Sequence, residues 1–249
     1  MATKQNRGLT AAALHILAMV LMVGDHLAYL LPAGWDWLHS TGRLAFPIFA
    51  FFIAQGYRHT GNYRRYCLRI FLFALLAEIP YDLLAYGVWF YPFAQNVLWT
   101  FLISLWMLRL LERAAACTRR WATLLLGLLA VALGYILGYL FMSDYFGDGV
   151  LMVLVFYLFR GEKGWQRLAQ LLALGYINYS LGGRGWELML LGHPVFFPMQ
   201  LLAVLALPLL WCYRGQQGHH SKAFRWFCYA FYPGHMLLLW LLTPLLFYA

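Results

Sequence analysis

Three stretches of this 249-residue chain carry ionisable side chains inside apolar sequence. The first holds His15, Asp25 and His26. His15 and His26 are eleven residues apart, close to three helical turns, so they would share one face about 16 Å apart. Asp25 and His26 are adjacent, and helix neighbours point about 100° apart. Asp25 is therefore poorly placed to orient His26, and its natural partner is Arg43. That pair is a structural ion pair or part of a site. His26 is a satisfied core histidine or an acid–base group.

The second stretch is Glu78-Ile79-Pro80-Tyr81-Asp82. Its carboxylates lie on one helix face, with a proline loosening the turn between them. They suit acid–base work, a substrate-amine site, or helix-end charges facing water. Gln95, Asn96 and Thr100 follow, and Asn96 and Thr100 share a face. These either bond carbonyl groups of a ligand or cap and tie helices. Asp144-Tyr145-Phe146-Gly147-Asp148-Gly149 reads as a tight turn. The third stretch is Tyr232-Pro233-Gly234-His235, where Tyr232 and His235 share a face and Pro-Gly invites a kink. Arg58-His59-Thr60-Gly61-Asn62-Tyr63-Arg64-Arg65-Tyr66 suits phosphate through charge-assisted bonds from arginine. Membrane topology explains the same arginines without a ligand. His219 and His220 sit in a polar loop and read as inert, while His39 and His193 lie at edges of apolar runs and stay undecided.

The elements that must position these groups follow from composition. Apolar residues make up 63% of the chain and charged ones 11%, where a soluble domain carries about 25% charged. This excludes a soluble enzyme, a disordered chain and a disulfide scaffold, and leaves an integral membrane protein. Runs near the length of a membrane-crossing helix occur at roughly 9–32, 43–57, 66–87, 96–112, 121–142, 148–160, 167–182, 194–213 and 225–247. The expected fold is all-α, a polytopic membrane protein of about nine transmembrane helices in one domain, 1–249. The first run is too long for a signal-peptide core and reads as a retained helix.

Of the 18 basic residues, all but Arg43 and Arg184 fall on one side of such a series, Lys4 and Arg7 among them. Seven of the nine acids fall on the other side, leaving only Glu112 and Glu162 with the bases. Basic residues prefer cytoplasmic loops, so the N-terminus is expected inside and the C-terminus outside. The net charge of +9 is then a topology signal and gives no reason to invoke nucleic acid. Cys67, Cys117, Cys212 and Cys228 lie toward the reducing side, which argues against structural disulfides.

Together these stretches resemble the TraX family, the membrane pilin acetylases and their relatives. The resemblance runs over most of the chain. It rests on Met22-Val23-Gly24-Asp25-His26, Gly42-Arg43-Leu44-Ala45-Phe46-Pro47-Ile48-Phe49-Ala50, His59-Thr60 and Arg69. It continues through Glu78-Ile79-Pro80-Tyr81-Asp82, Gln95-Asn96-Val97, Asp144-Tyr145-Phe146-Gly147 and Phe231-Tyr232-Pro233-Gly234-His235. It implies an acetyl-CoA-dependent transferase of the bacterial inner membrane, acting on an amine, such as a pilin-like peptide, or on a hydroxyl. Acetyl-CoA would be the co-substrate, with no metal. Under that resemblance the coenzyme enters on the Arg58, His59, Arg64, Arg65 and Arg69 side and threads past His15 toward His26. His26 would be the base, beside Asp25, and His235 a second base or coenzyme ligand. Arg43 and Asn96 would stabilise the oxyanion, Asn96 and Tyr232 would also contact the coenzyme, and Glu78, Asp82, Asp144 and Tyr145 would face the acceptor. In one departure, His15 stands where such proteins usually carry Lys or Arg. The rival reading is a small-solute or proton-coupled transporter, which also needs buried histidines and carboxylates.

Overall fold

The computed structural model describes residues 8–31, 34–190, 192–219 and 221–247. Lys4, Arg7 and His220 lie outside the described residues. The chain is mostly helical: α1 (Ala11–Ala28), α2 (Asp36–Gly42), α3 (Ala45–His59), α4 (Tyr63–Tyr86), α5 (Val97–Ala115), α6 (Arg120–Leu140), α7 (Phe146–Leu158) and α8 (Gly164–Ser180). A hairpin of β1 (Gly185–Leu190) and β2 (His193–Pro198) follows, then a 3₁₀ turn (Met199–Leu205), α9 (Ala206–Trp211) and α10 (Lys222–Phe247).

Local chemistry sets the helix ends. Thr10 caps α1 by accepting from the Ala13 amide at 3.2 Å, and Asn62 caps α4 by accepting from that of Arg65 at 2.9 Å. Gly87 ends α4 at φ +69°, the left-handed conformation that glycine adopts without a Cβ clash. Helices α3, α5 and α7 form the centre, where Ile48, Ala50, Leu102, Leu105, Leu108, Val150 and Met152 are fully buried. Helix α6 packs against α5 and α7 by its small residues. A Cβ on Gly134 would lie 2.7 Å from Met107, and one on Gly138 would lie 2.6 Å from the backbone of Gly147. Small residues permit this approach of two backbones.

The outer faces of the bundle are apolar. Leu72, Leu75 and Leu76 on α4, Leu124 and Leu128 on α6, and Leu238 and Leu241 on α10 are exposed. Two helices among the described residues, Ala11–Ala28 and Arg120–Leu140, are by length and composition long and apolar enough to cross a membrane. The other expected spans are shorter or more polar, so a count of nine does not follow from helix length.

The apolar run 194–213 is not one helix. Its first residues form β2, antiparallel to β1 with Gly185 opposite Pro198 and Leu190 opposite His193. Pro194 and Pro198 explain the change, because a proline lacks a donor and disfavours helix in the residue before it. Helix α2 lies within the 33–42 connection, which the apolar runs had left unassigned. The α6–α7 turn holds three left-handed residues, Met142 at φ 48°, Tyr145 at 61° and Phe146 at 48°. It is pinned to the loop before α5, where the Gln95 amide donates to the Met142 carbonyl at 2.9 Å and the Asp144 amide to the Gln95 carbonyl at 2.8 Å.

Loops that the charge pattern assigns to one side meet one another. The Leu9 amide donates to the Cys212 carbonyl at 3.0 Å, and Arg214 lies 3.7 Å from Glu162. At the opposite end Arg184 lies 4.0 Å from Asp36. All four cysteines are free.

Candidate active site

Helix α1 packs against α10, and their contact brings two histidines together. Nδ1 of His26 lies 2.8 Å from Nε2 of His235, across 209 residues of sequence. The rings are nearly parallel, 5.0 Å apart. Nδ1 of His235 lies 2.8 Å from the Phe231 carbonyl, and the Phe231 ring stacks on His235 at 5.0 Å. Tyr232 is buried beside them, 5.9 Å from His235 between ring centres.

Asp25 points away from this pair, as its position next to His26 dictates. Its carboxylate accepts from Nη2 of Arg43 and lies 2.8 Å from Nδ1 of His39. Arg43 also donates to Oε1 of Gln200 at 3.1 Å and to the His39 carbonyl at 3.3 Å. Gln200 in turn donates to Asn178 at 2.9 Å. The cluster ties α1, α2, α8 and the 3₁₀ turn together at the end opposite the arginine-rich loops. All three guanidinium nitrogens of Arg43 are engaged.

Glu78 and Asp82 take up separate bonds. Oε2 of Glu78 accepts from Asn96 and from Nε1 of Trp99 at 3.2 Å. Oδ2 of Asp82 accepts from the Tyr91 amide at 2.7 Å. The second oxygen of each is buried without a partner among the described residues. Asn96 is fully buried and caps α5 by accepting from Leu98 at 3.0 Å. Its side-chain amide donates to the Ala74 carbonyl at 2.9 Å and to Glu78. Asn96 is thus held as a cap and a tie between α4 and α5, and its two amide protons have protein acceptors. Asp144 is half-buried in the α6–α7 turn, where burial pushes its carboxyl up to about 6 against the pull of Arg43. The Tyr145 ring stacks on Phe46 at 4.0 Å.

At the arginine-rich end a cavity of about 1220 Å³ is walled by residues of α1, α3, α4, α5 and α7 to α10 and by the loops between them. His15, Arg58, His59, Arg65, Arg69 and Tyr232 line it, as do Arg160, Arg167, Arg214 and Arg225. Glu162 is the one acid among these lining residues. Arg64 is exposed on α4 and does not line the cavity. Nδ1 of His15 donates to the Ala11 carbonyl at 2.8 Å, and its ring lies 4.1 Å from Phe52. The α1 wall runs from Ala11 to Met22, one turn short of His26. The α10 wall reaches Phe231 and Tyr232, one turn short of His235. Nε of Arg69 and Nε of Arg167 are buried with no partner among the described residues. Both guanidinium groups rest on rings, Arg69 on Tyr66 and Tyr229 at 5.8 Å and Arg167 on Trp211 at 5.5 Å. Arg160, Arg167, Arg214 and Arg225 were read from sequence as topology determinants alone. Their convergence depends on tertiary structure. His39 belongs to the Asp25 cluster, His193 begins β2, and His219 borders the cavity.

The family model described as TraX protein matches residues 10–243. The chain belongs to the TraX family. Two curated proteins illustrate the relationship. One is named "Probable fimbrial assembly protein FimC, serogroup H1", from Dichelobacter nodosus; it is 28% identical over 94% of this chain and 96% of its own length. The other is named "Protein TraX", from Escherichia coli, and is 29% identical over 64% of this chain and 60% of its own length. No solved structure matches. The family match covers every element from α1 into α10, so both histidines of the pair and the whole arginine-lined cavity lie inside the TraX region.

Proposed function

We propose that this TraX-family chain is a membrane acetyltransferase that moves an acetyl group from acetyl-CoA to an amine or hydroxyl acceptor. The observation that carries this reading is the arginine-rimmed cavity that ends one turn from a bonded histidine pair. The donor is a polyanion with a long, thin, mostly uncharged arm. The rim offers guanidinium groups, two of them with orphan Nε donors, and these suit phosphates. The wall then narrows in chemistry to Met19, Met22, Phe101 and Phe231, which suit the arm. The thioester end would lie toward His26.

The bundle's exposed leucine faces and the separation of basic from acidic loops support a multi-pass inner-membrane protein, N-terminus inside and C-terminus outside. The cavity then faces the cytoplasm, where acetyl-CoA is made. His26 is the general base in this reading. Arg43 holds Asp25 and shapes the far side of the site. Glu78, Asp82, Asp144 and Tyr145 stand toward the outer end, where the acids would favour a cationic acceptor. The name of the Dichelobacter relative supports a fimbrial or pilus subunit, offering its terminal amine, as that acceptor.

The deciding experiment uses purified full-length protein in lipid nanodiscs. Isothermal titration with acetyl-CoA is compared with inorganic phosphate, and labelled acetyl is followed onto a synthetic pilin-like peptide. Saturable acetyl-CoA binding and labelled peptide are expected, with His26→Ala binding the donor but transferring about 10²–10⁴-fold more slowly. Absence of both binding and transfer, with solute or proton flux in proteoliposomes, would establish the transporter instead.

A further inference from the structure

We infer that His235 is the positioning residue that fixes the tautomer of His26 and leaves Nε2 of His26 as the proton-accepting atom. The inference rests on the acetyl-transfer reading but comes from the bonds alone. The Phe231 carbonyl can only accept, so Nδ1 of His235, 2.8 Å away, carries a proton. In a neutral ring Nε2 of His235 is then a bare acceptor. Nδ1 of His26 lies 2.8 Å from it and must be the donor. A neutral His26 with its proton on Nδ1 has a lone pair on Nε2. The chain of bonds therefore runs from His26 to His235 to the backbone of α10, and it ends on a helix carbonyl that cannot reverse it.

The surroundings keep the relay in this sense. The Phe231 ring stacks on His235, and the Tyr232 ring lies 5.9 Å from it between centres. Asp25, beside His26 in sequence, is bonded instead to Arg43 and His39. Among the described residues no carboxylate reaches Nδ1 of His26, so the acceptor that a catalytic triad draws from an aspartate is supplied here by a second imidazole.

The proton balance is simple. The acceptor's N–H or O–H gives its proton to Nε2 of His26 as its lone pair forms the new bond to the acetyl carbon. His26 is then a cation, and its Nδ1–H bond to His235 becomes charge-assisted and stronger. When the carbon–sulfur bond breaks, the thiolate takes the proton from Nε2. His26 keeps the Nδ1 proton throughout.

The test compares His235→Gln with His235→Leu in the nanodisc assay. Glutamine can present Oε1 near the position of Nε2 and accept from His26, whereas leucine cannot. Turnover should fall by about 10²–10⁴-fold in His235→Leu and recover at least tenfold of that loss in His235→Gln. The apparent KM for acetyl-CoA should stay within about twofold of wild type in both. In wild-type protein labelled with ¹⁵N-histidine, a nitrogen–nitrogen coupling across the His26–His235 bond is expected. Full turnover in a folded, donor-binding His235→Leu variant would overturn the inference and leave acetyl transfer standing. So would equal losses in the two variants, or absence of the coupling in active protein. Loss of transfer in wild type itself would instead overturn the function.

Discussion

Gly42 is packed against Asp25 so closely that a Cβ on Gly42 would lie 2.3 Å from that of Asp25. The glycine lets α2 approach α1, and the following residue, Arg43, meets the Asp25 carboxylate. Gly42→Ala should push Asp25 out of the cluster and destabilise the protein by about 1–3 kcal/mol, the usual effect of overpacking. Gly61→Ala adds its methyl group where no atom lies within 4 Å, so it should leave the melting temperature nearly unchanged. Thermal unfolding of both variants in detergent checks this, and equal melting temperatures would refute it.

Donor binding should depend on the two arginines with buried Nε atoms rather than on arginine number. Arg167→Ala and Arg69→Ala each remove a guanidinium with an orphan nitrogen from the cavity wall. Each should weaken acetyl-CoA binding by about tenfold or more, as loss of a charged hydrogen bond does. Arg64→Ala, exposed and away from the cavity, should stay within about twofold. Titration calorimetry distinguishes the two groups, and a uniform effect would reduce the rim to general electrostatics.

Asp144 gives a dependence on pH. Its carboxyl is raised from an ordinary 3.8 to about 6 in the folded protein. Between those values the folded state holds a proton that the unfolded state has lost, so stability falls as pH rises through the window. Asp144→Asn keeps the oxygen that accepts from the Tyr145 amide at 3.0 Å and removes the titration. The variant should match wild type near pH 4 and melt higher than wild type at pH 7.5. A difference that does not change across that range would show that Asp144 titrates normally.

Sidedness follows from the loops. Reporter fusions ending at Ser143 and at Gln216 should report opposite sides of the membrane, with Gln216 in the cytoplasm. The same side for both would end the nine-span arrangement while leaving the cavity intact.

Hydropathy runs located α1, α3 to α8 and α10 because the faces buried in the centre, as on α5 and α7, and the exposed faces of α4, α6 and α10 are both apolar. The same signal failed over 194–213, where the prolines, rather than the apolar content, decide between strand and helix. Helix α2 has only seven residues, too few to make a run. The Asp25–Arg43 pair was legible because both residues are ionisable and the helix geometry of Asp25 turns it from His26. The bond between His26 and His235 was not, since nothing in either stretch specifies contact across 209 positions. The cavity arginines were visible one by one, but their shared use depends on where α8 and α10 end in space.

The left-handed turn between α6 and α7 bears on how this protein would survive purification. Met142 holds φ 48° and is 40% exposed, and its hydrogen bonds, from its amide to the Tyr139 carbonyl and from the Gln95 amide to its carbonyl, are made by its backbone. A side chain in that conformation costs roughly 1–2 kcal/mol, and glycine adopts it freely. Tyr145 shares the conformation, but its ring is stacked on Phe46 and would be missed. Met142→Gly should therefore raise the melting temperature and lengthen the working life of detergent-extracted samples without touching the cavity or the histidines.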